Sequence, residues 1–442
     1  MIKRLIVICI AIISSSVFAQ QGTASPYSFY GIGSLKFKGT VENRSMGGIG
    51  VYMDSIHLNL RNPASYVGKN VDAYPYDGES RPVKFAVAGT TSNTTLKGNS
   101  GEAEGNSSTF DYIALSVPIG KFGFGFGLMP YTSVGYKLDD INDNDDIVNR
   151  FRGEGGVNRV FMGFGYQISN KLSAGVDINY NFGNIQNSAI EFAYTDPPEN
   201  ELVELQTRED SRSDLSGLNV NFGLAYRTRI SNNLELSATA TFAPGSKLSS
   251  DNARSISTID VTATGTEIVL NTVEIDLDSQ NLRNTDLTLP SRWSIGTGLG
   301  KPQSWFVGAE YTFQNTSNFS NPFYSNDIST FENASQFSLG GFYIPDFDAF
   351  TGYFKRVVYR AGINFANTGL VVKNESIKEF GISFGLGLPV GQRSRDPFSN
   401  LNLGLEIGKR GTTNNNLIQE NFINFNVSLS LNSRWFRQKK YN

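Results

Sequence analysis

The chain has 442 residues, with 38 Lys+Arg against 41 Asp+Glu, one histidine, one cysteine and 45 glycines. This balance excludes a nucleic-acid partner, which needs clustered Lys and Arg on phosphate. The mildly negative mean hydropathy excludes a helical membrane protein but not a β-barrel, whose strands are apolar on one face only.

Residues 1–19 have the form of a cleaved export signal. Lys3 and Arg4 precede an apolar run from Leu5 to Ile13, and Val17-Phe18-Ala19 supplies small residues before Gln20. The run is shorter than the roughly 20 residues that a spanning helix needs. Cys9 lies inside it, so the mature chain has no thiol for a disulfide or metal site. A lone histidine, His57, leaves no Ser/His or Asp/His constellation. No catalytic residue, metal or cofactor is therefore expected, and the chain reads as a non-enzyme.

Residues 20–80 contain aromatics and glycines without period-2 alternation, including Arg44-Ser45-Met46-Gly47-Gly48-Ile49-Gly50 and Asn62-Pro63-Ala64. A segment with no lipid face, ahead of a barrel, is expected to fold in the lumen as a hatch or plug. Gly47, Gly48 and Gly50 lack the spacing of a nucleotide loop. His57 reads as a polar residue of the plug.

From residue 81 the pattern changes. Phe122, Phe124, Phe126 and Leu128 alternate with glycines, and Leu172, Ala174, Val176, Ile178, Tyr180 and Phe182 alternate with small or polar residues. In a strand the two sets face opposite sides. The same template finds fourteen segments, near 82–92, 109–118, 121–130, 157–167, 171–183, 216–228, 233–243, 288–300, 304–314, 335–344, 356–366, 378–389, 399–409 and 421–431. About ten residues each is what a tilted strand needs to cross a bilayer. Links after the second, fourth, sixth and eighth strands are short and those after the odd strands from the first to the ninth are long: 93–108, 131–156, 184–215, 244–287 and 315–334. That rhythm predicts a transmembrane antiparallel barrel over 81–432, with both termini and a short tail, 433–442, in the periplasm. The link after the tenth strand, Pro345 to Lys355, breaks the rhythm: it is either an extended turn or a sign of a misplaced strand. Inward positions are mostly Gly, Ser, Asn and Thr, with Phe161 and Phe306 as the clearest lumen-facing aromatics.

The run at 44–50 followed by Asn62-Pro63-Ala64 resembles the hatch of the FadL/TodX family of outer-membrane transport proteins. Leu289-Pro290-Ser291-Arg292-Trp293 and the Gly-rich strand at 380–389 are further matches to that family, and Leu403 to Thr412 with the ending Arg434 to Tyr441 is similar to its Bacteroidota-type branch. The resemblance implies a fourteen-stranded barrel with an N-terminal hatch, in which Asn62, Pro63 and Ala64 form a hatch element. It implies passive uptake of small hydrophobic molecules, or alternatively a non-transporting subunit of an assembly or secretion complex. The expected partners are outer-membrane lipid, a hydrophobic small-molecule ligand and other outer-membrane proteins. The polar lumen argues against a greasy pocket, because ligand sites are normally lined by apolar side chains.

Overall fold

The computed structural model describes residues 22–435 apart from 55, 69–80, 100, 143, 145, 196–201, 232, 263, 325–328, 391–398 and 434. The expected signal and C-terminal tail lie almost wholly outside the described residues. Twenty strands follow one another: β1 (Ser34–Leu35), β2 (Val83–Gly98), β3 (Gly101–Ile119), β4 (Phe122–Pro130), β5 (Thr132–Ile141), β6 (Ile147–Gln167), β7 (Leu172–Glu191), β8 (Leu205–Ser231), β9 (Leu234–Ala243) and β10 (Ser246–Val261). After them come β11 (Glu267–Glu274), β12 (Asn284–Leu289), β13 (Arg292–Lys301), β14 (Trp305–Gln314), β15 (Ser329–Phe331), β16 (Ala334–Tyr343), β17 (Val358–Val372), β18 (Glu375–Pro389), β19 (Asn400–Arg410) and β20 (Gln419–Ser433).

Fourteen of these close into an antiparallel ring: β2, β3, β4, β6, β7, β8, β9, β13, β14, β16, β17, β18, β19 and β20. The ring is sealed by β2 on β20, from Val83 opposite Ser433 to Lys97 opposite Gln419. Each expected segment coincides with one stave. Alternation survives in the exposures, with Ile178 at 53% between Asp177 and Asn179 at 1% each. The outward face is the lipid face. Ile178→Arg should therefore destabilise the inserted barrel by about 2–4 kcal/mol, measured by denaturant unfolding from vesicles. If Asn179→Arg were the only costly change of the two, the assigned faces would be inverted.

Most of the long links are built of strand, the exception being 315–334, where β15 is a three-residue piece. β6, β7 and β8 continue past the ring, and the outer half of β8 leaves β9 to pair with β10, Leu205–Ser216 opposite Ser249–Asp260. β10 then carries β12 along one half and β11 along the other. These extensions escape parity analysis because, beyond the lipid, neither side of a strand must be apolar. Pro345 to Lys355 proves to be an extended turn, closed by a helical turn at Tyr353–Arg356 and by Tyr353 Oη on the Pro389 carbonyl at 3.0 Å.

Candidate functional site

The described part of the N-terminal segment, residues 22–68, lies within the ring and runs from the loop end to the turn end. Its local structure follows from its caps. Thr40 opens the turn Val41–Arg44 in a capping box with Asn43, whose side-chain amide also donates to the Ile49 carbonyl at 2.9 Å. Gly47 and Gly48 adopt φ of 68° and 88°. At Gly47 an added Cβ would stand 2.5 Å from the Ile363 carbonyl oxygen, so close approach to the wall and left-handed backbone both demand glycine there. Gly47 N–H donates to Ser383 Oγ at 2.9 Å, and Gly50 N–H to Glu310 Oε2 at 2.7 Å.

Asn62-Pro63-Ala64 sits at the turn end. Asn62 caps the helical turn Pro63–Val67 by accepting from Ala64 N–H at 3.0 Å, and its amide donates to the Leu224 carbonyl at 2.9 Å. Pro63 occupies the first helical position, where no N–H is needed. Ser173 Oγ donates to the Ala64 carbonyl at 3.1 Å, and the Tyr66 hydroxyl to Asp177 at 2.9 Å. The wall makes room with glycine: a Cβ at Gly175 would fall 2.5 Å from the Pro63 carbonyl carbon, and one at Gly123 2.2 Å from that of Tyr66. Phe161 and Phe306 are both buried; Phe161 lies across Gly127, and Phe306 stacks near Phe342 and Tyr52. They thus lie in separate clusters and do not frame one pocket.

Charge holds the segment elsewhere. Arg61 pairs with Glu310, Arg44 donates to Thr90 at 3.0 Å and Asn426 at 2.6 Å, and Glu42 accepts from Asn402 at 2.9 Å. His57 pairs with Asp54 and reaches Arg360 at 3.3 Å. Burial alone would raise the Asp54 carboxyl, but the His57 contact outweighs it and holds that carboxyl down at about 2. Lys38, 3.5 Å from Asp177, is pulled down to about 8 by burial, which wins over the aspartate's attraction. Lys38, Arg61, Arg159 and Arg292 crowd around Asp177 and Glu310, bordering a small cavity of about 90 Å³. A larger cavity of about 400 Å³ lies between residues 23–38 and the wall. Its lining mixes Tyr30, Phe319 and Phe331 with Lys36, Glu406 and Arg410, not an unbroken apolar surface.

One seam in the wall is not closed by strand pairing. β4 pairs with β3 only as far as Leu128 opposite Ile113; past Pro130 and Tyr131 the chain continues as β5, which pairs with β6 and not β3. The N-terminal residues occupy this interval. β1 pairs with β5, Ser34 opposite Ser133, while Thr23 and Ala24 lie against Gly135 and Gly105.

A model of the BamG family matches residues 1–442. The chain belongs to that family. No curated protein matches the sequence. Among solved structures, the fold is similar to the toluene transporter TbuX of Ralstonia pickettii, with 13% identity, 90% of this chain and 100% of that chain covered, and a TM-score of 0.55. It is similar to the toluene transporter TodX of P. putida, with 16% identity, 91% and 100% covered, and 0.55. It is also similar to a FadL homologue of Pseudomonas aeruginosa, with 11% identity, 90% and 99% covered, and 0.55. At such identities the likeness speaks for the fold alone, that of a FadL-like β-barrel.

The charged contacts were missed by sequence reasoning, although a signal existed. Asp177 and Glu310 stand on lumen-facing positions of otherwise apolar–small strands, and a segment carrying Arg44 and Arg61 precedes the barrel. Carboxylates on the inner parity require cations, and that segment had them to give.

Proposed function

We propose that this protein is a subunit of a larger outer-membrane protein assembly, not a stand-alone pore. The observation that carries this reading is the lumen, where the N-terminal segment is tied to the wall by buried ion pairs and by backbone contact at glycines. Such a lumen suits a rigid body better than a path for greasy cargo. Membership of the BamG family fits, since its name suggests outer-membrane protein partners. In this reading residues 20–80 form a hatch, and Asn62, Pro63, Ala64, Gly47, Gly48 and Gly50 dock it. The turn end and both termini face the periplasm, and the strand extensions face outward.

The second reading is passive uptake of a small hydrophobic molecule gated by the hatch. The likeness to toluene transporters and the seam at Tyr131 favour it. Mild extraction of the full-length chain from native membranes separates the two. Stoichiometric recovery with other outer-membrane proteins, with toluene uptake unchanged on deletion, is the expected result. Recovery of the chain alone, with toluene uptake lost on deletion, would establish the channel instead.

A further inference from the structure

Outside the ring, β11 is the free edge of the extended sheet: it pairs with β10 and with no other strand among the described residues. Ile268, Val269, Leu270 and Val273 are all exposed, Leu270 at 57%. Exposed edges are normally protected by lysine, proline, brevity or a bulge; here Glu267–Glu274 contains neither residue and has the single bulge at Leu270. The strand is also held in place at both ends. Thr262 N–H donates to the Thr266 carbonyl at 3.0 Å in the preceding turn, and Leu277 beyond it is fully buried. Ile275 N–H donates to the Arg254 carbonyl at 2.9 Å. By antiparallel alternation Val273 and Asn271 also face β10, so Thr272 and Glu274 turn their N–H and C=O groups outward. The register shift opposite Thr258 and Ile259 makes Leu270 the extra residue, a protruding apolar knob beside that outward row.

Charge says what the edge accepts. The nearby cations are paired within the sheet: Arg152 and Arg208 with Glu267, Arg254 with Glu209, and Arg283 with Asp278. Glu274 has no side-chain hydrogen bond or ion pair among the described residues, and the Asp276 carboxylate accepts only from the backbone N–H groups of Asp278 and Ser279, with no cation beside it among the described residues. A second copy is a poor occupant. Antiparallel self-pairing that matches Ile268 with Val273 sets each Glu274 opposite Glu267, whose arginines are already engaged, so a second copy brings Glu274 no free cation.

We propose that β11 is a docking strand. It takes an extended segment of a partner protein as the next strand of the sheet, with apolar or β-branched side chains packed on Leu270 and Val273 and a lysine or arginine beside Glu274 and Asp276. Main-chain pairing supplies the affinity and the knob and acidic end supply the selectivity. This inference rests on the subunit reading and names the chemistry of the partner.

The test uses the full-length protein in its native membrane with p-benzoylphenylalanine in place of Leu270. Irradiation should give one protein adduct whose cross-linked residue maps to an extended segment with a basic end. Thr272→Pro removes an outward N–H while sparing the ladder to β10, and should cut the adduct about tenfold. Glu274→Lys with Asp276→Lys, which leaves the backbone free, should cut it several-fold at unchanged barrel folding, read by heat-modifiable gel migration. An adduct that persists within twofold in Thr272→Pro overturns the proposal, as does an adduct to a second copy or to lipid alone, or no protein adduct. Native copurification in the same cells keeps the two readings apart. A complex recovered intact with the edge variants refutes the docking strand alone, whereas no complex from the unmodified chain refutes the subunit reading.

Discussion

Glu310→Ala should loosen the N-terminal segment by about 3–5 kcal/mol, the range for breaking a buried ion pair from one side. Glu310 accepts from both Arg61 and Gly50 N–H, and its surroundings are cationic: Arg292, Lys38 and Arg159 lie in the same cluster. Its loss therefore leaves two buried cations, Arg61 and Arg159, and two half-buried ones, Lys38 and Arg292, to share Asp177. Arg61→Ala should be milder, because Glu310 keeps the Gly50 bond and the attraction of Arg292, while cation–cation repulsion falls. The order is opposite to what side-chain size suggests. Limited proteolysis of residues 22–68 in the folded barrel reads it directly, and equal sensitivity of the two variants would refute the cluster as described.

A chain lacking residues 22–68 should still insert, since all fourteen staves remain, but it should conduct. Single-channel recording ought to show conductance to small ions about tenfold or more above the intact chain, because a fourteen-stranded barrel without internal filling encloses a water-filled bore. The seam beside Tyr131 should open as well, since β1, Thr23 and Ala24 are what stand between β3 and β5. Unchanged conductance would mean that these residues do not obstruct the lumen.

How much of this the sequence discloses depends on what each residue must satisfy. Staves such as β4 and β7 are legible because lipid on one side and a crowded lumen on the other impose strict parity. The inward glycines were readable too, and Gly123 and Gly125 do lie against Tyr66; Gly127 instead accommodates Phe161. Past the bilayer the constraint lapses. Leu205–Ser216 and β10 pair over twelve residues yet carry mostly polar side chains on both faces, so only main-chain pairing defines them. Asn62-Pro63-Ala64 stood out only through the hatch resemblance, and its capping role comes from the structure, whereas Arg61 with Glu310 joins residues far apart in the chain, a pairing that one sequence does not encode as a local pattern.

Tying of the first residues to the last strand has a consequence for how the molecule is assembled. Ser25 donates to Glu420, the Tyr27 hydroxyl to the Ile418 carbonyl, and Arg44 reaches Thr90 on β2 and Asn426 on β20 together. The β2–β20 junction, whose partners are the most distant in the sequence of any adjacent staves, carries the largest chain-entropy cost of closure. A segment bound to both sides of that junction before it zips would act as an internal jig. This segment, made well before the last strand, would then wait, seated on the growing sheet, to recruit it.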